Sequence, residues 1–153
     1  MKINIYIIDK KSKNDLYQPL IDHYLKSAKQ FAEVNIYEIF NKDISKANDA
    51  SAKIAKALYS KAFEKYLASG YNIVLDPSSK EVDSIEFANL FKDRAVVNLY
   101  IGGAYGFERD FITKSNIAIS FGKITLSHKL AKVVLAEQVF RGLSILHNHP
   151  YHK

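Results

Sequence analysis

The chain of 153 residues carries a formal charge of +6 and no cysteine. Disulfide staples and thiolate metal centres are therefore excluded, and the length suits one domain with a core of ordinary size. An apolar fraction of 48% excludes a disordered chain, and no apolar run is long enough to span a bilayer. The positive balance is mostly lysine. It suits a polyanionic partner such as RNA, or only a lysine-rich solvated surface.

Strand-like and helix-like segments alternate along the chain. INIYII (3–8) is β-branched and apolar, the pattern of a buried strand, and the charge returning at Asp9 separates it from a signal peptide. A helix is expected within 14–31, starting near Pro19, with Leu16, Leu20, Tyr24 and Ala28 on one face. VNIYEIF (34–40) reads as the next strand. The polar stretch NKDISKANDA then leads to a long helix over 49–68 carrying Ile54, Ala57, Leu58, Phe63 and Leu67, with Gly70 ending it.

YNIVLD (71–76) predicts a strand followed by a PSSKE loop. A short helix over 84–92 has Asp83 or Ser84 as its cap. AVVNLYI (95–101) predicts a buried strand, and GGAYGFERD a loop running into a short helix. NIAISFG (116–122) is a further strand, and 127–146 a final long helix. This alternation predicts a single α/β domain over 1–153 around a mainly parallel sheet.

Open parallel sheets bind ligands beyond the carboxyl ends of their strands. The loop after the first strand, DKKSKND, has no glycine, and no Walker lysine pattern occurs, so neither common nucleotide-binding fingerprint is present. Glycines gather instead in IGGAYGF, where Gly102, Gly103 and Gly106 follow a strand. They would admit a ligand close to the backbone or serve only a tight turn. With LDPSSK and FGKITLSH, that loop could line one pocket. The apolar Phe121, Ile124 and Leu126 call for a flat ligand or a partner subunit to cover them.

On the last helix Glu137 and Arg141 are four apart, as in a surface ion pair, and His128 sits at the helix start. Apolar residues wrap much of this helix, as expected of burial against the sheet and a second subunit. The ending, HNHPYHK, offers three readings: a metal site, a solvated end, or part of an active site. His147, His149 and His152 could supply nitrogen ligands. Pro150 stiffens the segment and no carboxylate lies nearby, so no metal is expected.

IGGAYGF, AISFGKITLSH, VVLAEQVFRG and NHPYHK, in this order and spacing, resemble the RlmH family of SPOUT methyltransferases over the whole chain. The resemblance implies a SPOUT-type α/β trefoil knot toward the C-terminus and a homodimer. It also implies S-adenosylmethionine as cofactor and methylation of N3 of a pseudouridine in the helix 69 loop of 23S rRNA, in the cytoplasm and on the assembled ribosome. Carried over by position, the cofactor contacts are Leu75, Gly102, Gly103, Gly106 and the segment Phe121, Gly122, Lys123, Ile124, Thr125 and Leu126. For chemistry the tail offers His152 as base and Tyr151 as a stacking partner, with Arg141 as the cation and Glu137 holding it. His128 is the rival base. Lys132 stands where the family usually has arginine, which could alter an RNA or cofactor contact. A non-catalytic RNA-binding or ribosome-associated protein is the alternative, and a metal-dependent hydrolase the third reading.

Overall fold

The computed structural model describes residues 1–47 and 49–153. Asn48, in the predicted polar stretch, lies outside the described residues. Five strands, β1 (Lys2–Ile8), β2 (Glu33–Ile39), β3 (Tyr71–Glu81), β4 (Val96–Ile101) and β5 (Ile117–Ser120), form one sheet in the order β2-β1-β4-β3-β5. All four pairings are parallel. Helices cover both faces. α1 (Gln18–Ala28), α4 (Ser84–Asn89) and α6 (His128–Leu146) share a core with Ile3, Ile5, Ile73, Val97 and Leu99. α2 (Lys42–Ala47), α3 (Ala52–Glu64) and α5 (Arg109–Lys114) pack with Tyr6, Ile8, Val74 and Tyr100. Burial on both faces is why β1 and β4 read as apolar runs, each interrupted by a single asparagine.

Three expectations are corrected. The polar stretch holds α2, anchored by Asn41, whose side chain accepts from the Ile44 N–H at 2.9 Å, with Ile44 and Ala47 buried beneath. β3 does not end at Asp76. It breaks register between Leu75 and Lys80, both of which pair with Ile119, and the extra residues form a bulge tied by Ser79 donating to Asp76 at 2.9 Å. The helix faces also differ. Leu16, Leu20 and Ile54 are exposed, while α1 buries Ile21 and Ala28 and α3 buries Ala55, Tyr59 and Phe63. Pro19 does stand in the first turn of α1, where its missing N–H costs nothing. Asp83 caps α4 in a full capping box with Glu86.

One polar line crosses the core. Asn35, Asn4, Asn98 and Asn72 stand in register on β2, β1, β4 and β3. Asn4 donates to Asn98 at 2.9 Å, Asn98 to Asn72 at 3.1 Å, and Asn72 to the Leu67 carbonyl at 3.1 Å. The Tyr100 hydroxyl donates to Asn72 at 2.8 Å. Among the described residues no helix is long and apolar enough to cross a membrane.

Candidate functional site

Beyond the carboxyl ends of β3, β4 and β5 the three loops singled out from sequence converge on a cavity of about 830 Å³. It is lined by Leu75, Gly102, Gly103, Gly106, Phe121, Gly122, Ile124, Thr125 and Leu126, with His128 at its edge. Lys123 is not part of the lining. The bulge residues Asp76, Pro77 and Ser78 form one wall, Tyr105 adds to the glycine loop's share, and Lys56 of α3 and Ala131 of α6 join from other elements.

The glycine loop is shaped by close approach. A methyl group at Gly103 would lie 2.5 Å from the Tyr59 ring, and one at Gly102 would lie 3.1 Å from the Gly106 backbone and 3.2 Å from Phe107. At Gly102 the restriction is therefore the loop folding on itself, with no positive φ. Gly106 and Gly122 do need glycine's freedom, with φ of +72° and +125°. Ile124, Leu126 and Tyr105 remain exposed around the mouth, Ile124 at 83%, and Leu130 in the first turn of α6 is exposed as well.

At the foot of α6 a charged cluster joins that helix to the strand ends. Asp9, directly after β1, is 5% exposed. Its Oδ2 accepts from Lys132 Nζ at 3.0 Å, and its Oδ1 from the Lys10 N–H at 2.9 Å and lies 3.3 Å from His128 Nε2. Lys129 reaches both Asp9, at 3.3 Å, and Asp15, at 3.0 Å. Lys132 is itself buried and also donates to Glu38 at 2.7 Å. Burial alone would push the Asp9 carboxyl up. The hydrogen bonds from His128 and Lys132 and the lysine charges outweigh it, holding the group well below the usual carboxylate range. Because Lys132 is spent internally, it offers no surface contact to RNA or cofactor, contrary to the reading from sequence. A smaller cavity of about 290 Å³, lined by Asp9, Lys10, Phe40, Tyr59, Gly103, Ala104 and His128 among others, adjoins the first.

The remaining candidates gather elsewhere. Arg141 donates to Glu137 Oε1 through Nε at 2.9 Å and Nη2 at 2.6 Å, and its guanidinium lies 4.7 Å from the Tyr151 ring centre. The Tyr151 hydroxyl donates to the same Glu137 oxygen at 2.9 Å, and Arg141 Nη1 lies 3.5 Å from His152 Nδ1. The tail is ordered onto α6 by packing: Tyr151 lies 4.5 Å from Phe140, and His147 stacks on Phe31 at 4.7 Å while its Nδ1 meets the Leu143 carbonyl at 2.8 Å. His149 also packs edge-on against Phe31. Among the described residues no group of three or more metal-ligating side chains is assembled.

The two groups stand at opposite ends of α6. Thirteen residues separate His128 from Arg141, about 20 Å along a helix rising 1.5 Å per residue. Within one protomer the tail therefore does not cover the cavity. Asp9 and Tyr59 escaped the reading from sequence, and Asp76 entered it only as part of the LDPSSK loop.

The family model described as "Predicted SPOUT methyltransferase" matches residues 1–152. The chain is 68% identical to the ribosomal RNA large subunit methyltransferase H of a Sulfurovum species, over 100% of both chains. Proteins of the same name from a Nitratiruptor species and from Wolinella succinogenes are each 46% identical, over 99% and 100% of both chains respectively. With a family match over nearly its full length and a parallel sheet whose strand-end loops meet in one cavity, the chain belongs to the SPOUT methyltransferase family.

Proposed function

We propose that residues 1–153 form one methyltransferase domain that acts as a cytoplasmic homodimer. It transfers a methyl group from S-adenosylmethionine to N3 of a pseudouridine in the helix 69 loop of 23S rRNA, on the assembled ribosome. The observation carrying this reading is the cavity of about 830 Å³ at the carboxyl ends of β3, β4 and β5. Its size is that of a small-molecule site. Its walls suit the donor: Leu75, Phe121 and Leu126 offer apolar cover to an adenine, and the glycine loop brings backbone close to the amino-acid part. The name shared by the relatives supports ribosomal RNA as acceptor, and the net charge of +6 suits it.

When bound, S-adenosylmethionine supplies a methyl group already activated on a sulfonium. The chain's own residues must then hold the acceptor nitrogen in line and remove its proton. Arg141 is the cation for the developing imide charge, Glu137 fixes its orientation, and Tyr151 presents a ring for stacking. Since these lie about 20 Å from His128 along α6, a two-fold dimer that packs the two α6 helices side by side in opposite directions would bring one protomer's tail to its partner's cavity. His128 and His152 are the histidines proposed as proton acceptors.

Calorimetry with S-adenosylmethionine should give one site per chain, and mass mapping of ribosomal RNA treated with the enzyme should find one added methyl on a modified uridine. Absence of donor binding would leave the non-catalytic RNA-binding reading in its place.

A further inference from the structure

Two histidines compete for one proton, and their surroundings differ in sign. His152 Nδ1 faces the Arg141 guanidinium at 3.5 Å. The lone pair of that nitrogen thus faces a guanidinium N–H. His128 has the opposite neighbour. Its Nε2 is 3.3 Å from Asp9 Oδ1, a carboxylate whose side chain is 3% exposed. Asp9 is fixed in place by the Lys10 N–H, Lys129 and Lys132. A buried carboxylate behind an imidazole selects the tautomer with the proton on the shared nitrogen and stabilises the imidazolium that forms after proton uptake.

We infer that His128 is the catalytic base of methyl transfer and that Asp9 is its positioning residue, the pair acting where the cavity of about 830 Å³ meets the chamber of about 290 Å³. The inference rests on the methyltransferase reading above. Nε2–H donates to Asp9, which leaves Nδ1 as the acceptor; among the described residues Nδ1 has no hydrogen-bond partner. His128 Nδ1 takes the proton from the acceptor nitrogen, and that nitrogen forms its bond to the methyl carbon. The carbon–sulfur bond breaks with its electron pair passing to sulfur, so a neutral thioether leaves and the imidazolium returns its proton to water. The other charged groups facing the pair are Lys129 and Lys132 on α6, Asp15 before α1, Glu38 on β2 and Lys10 after β1.

Two measurements decide. Long-range nitrogen–proton NMR of the ligand-free protein at mildly alkaline pH reads the tautomer directly and needs no substrate. His128 should carry its proton on Nε2, and Asp9→Asn should lose that preference; an Nδ1–H tautomer in the native protein overturns the inference. Methyl transfer to ribosomes at saturating donor supplies the second. His128→Gln should lower kcat by at least ~100-fold, the scale of a positioned acid–base group, with donor affinity by calorimetry within ~3-fold, and should cost more than His152→Gln. Asp9→Asn should lower kcat on its own but add nothing in the His128→Gln background. An unchanged kcat in His128→Gln, a larger loss at His152→Gln, or an undiminished Asp9→Asn penalty without His128 each overturns it. If Asp9→Asn does not fold, exogenous imidazole added to His128→Ala decides: a saturable rise in rate is expected, and no rise refutes the base. A native protein that binds the donor yet methylates no ribosome would instead refute the methyltransferase reading, leaving the tautomer result standing.

Discussion

Tyr151 donates its hydroxyl to the Glu137 carboxylate oxygen that also receives two donors of Arg141, so one acid on α6 fastens the tail and aims the cation. Tyr151→Phe removes a single hydrogen bond and keeps the ring against Phe140. It should lower stability by about 1 kcal/mol and leave donor affinity unchanged, as read by urea unfolding and calorimetry.

The same hydroxyl gives an alkaline signature. Burial first, and then the bond to Glu137, push the Tyr151 phenol up to about 12 from its ordinary 10.0. The folded state thus holds the proton more tightly than the unfolded chain. Its contribution is complete below the ordinary value and is lost as pH rises from there toward about 12. Melting temperatures across that interval should fall less steeply in Tyr151→Phe than in the native protein.

Removing residues 147–153 should separate binding from chemistry. The cavity lies at the other end of α6, so donor affinity should change little, whereas methyl transfer to ribosomes should fall by at least ~10-fold through loss of the Tyr151 stacking ring. The loss of Tyr151, His147 and His149 uncovers Phe140 and Phe31, so the shortened chain should also melt earlier. Full activity in the truncated protein would make the tail a solvated end.

Gly103→Ala places a methyl group 2.5 Å from the Tyr59 ring. The glycine loop must shift, and S-adenosylmethionine affinity should drop at least ~10-fold, equivalent to ~1.4 kcal/mol. Tyr59→Leu in the same chain should restore part of it. Equal affinity in native and Gly103→Ala protein would disprove the loop's part in binding the donor.

Lys132→Met leaves Glu38 without its buried partner and strips one cation from Asp9. Removing one member of a buried ion pair costs about 3–5 kcal/mol. In the native protein the depressed Asp9 value means its contribution is fully present above the ordinary 3.8 and lost as pH falls below it. In Lys132→Met the uncompensated acids should reduce or reverse that acid loss. Urea unfolding at two pH values straddling the carboxylate range tests this.

The element order and the parallel sheet were legible because strands buried on both faces are apolar at nearly every position, and Pro19, Asp83 and the glycine loop punctuate them. The helix faces were not. Leu16 and Ile54 look like core residues, but docking put Ile21 and Ala55 inward instead, and tertiary packing, which propensity does not encode, decides that choice. α2 was hidden because its six residues carry three charges and bury only Ile44 and Ala47. At the site, the three loops announced themselves by glycine and by misplaced apolar residues. Asp9 did not, since a single acid at a strand end has no local pattern and finds Lys132 only across 123 positions of chain.

The asparagine line through the sheet works as a vernier for assembly. Each amide grips its neighbour in one direction, from β1 through β4 to β3. A strand that docks one residue out of step turns its amide toward the opposite, apolar layer and breaks the chain on both sides of itself. Such an error strands several polar groups in the interior at once, each at a cost of about 1–3 kcal/mol, while apolar side chains alone would tolerate the slip far better. Wrong registers are thereby disfavoured, and the strand ends that shape the cavity of about 830 Å³ stand level with one another.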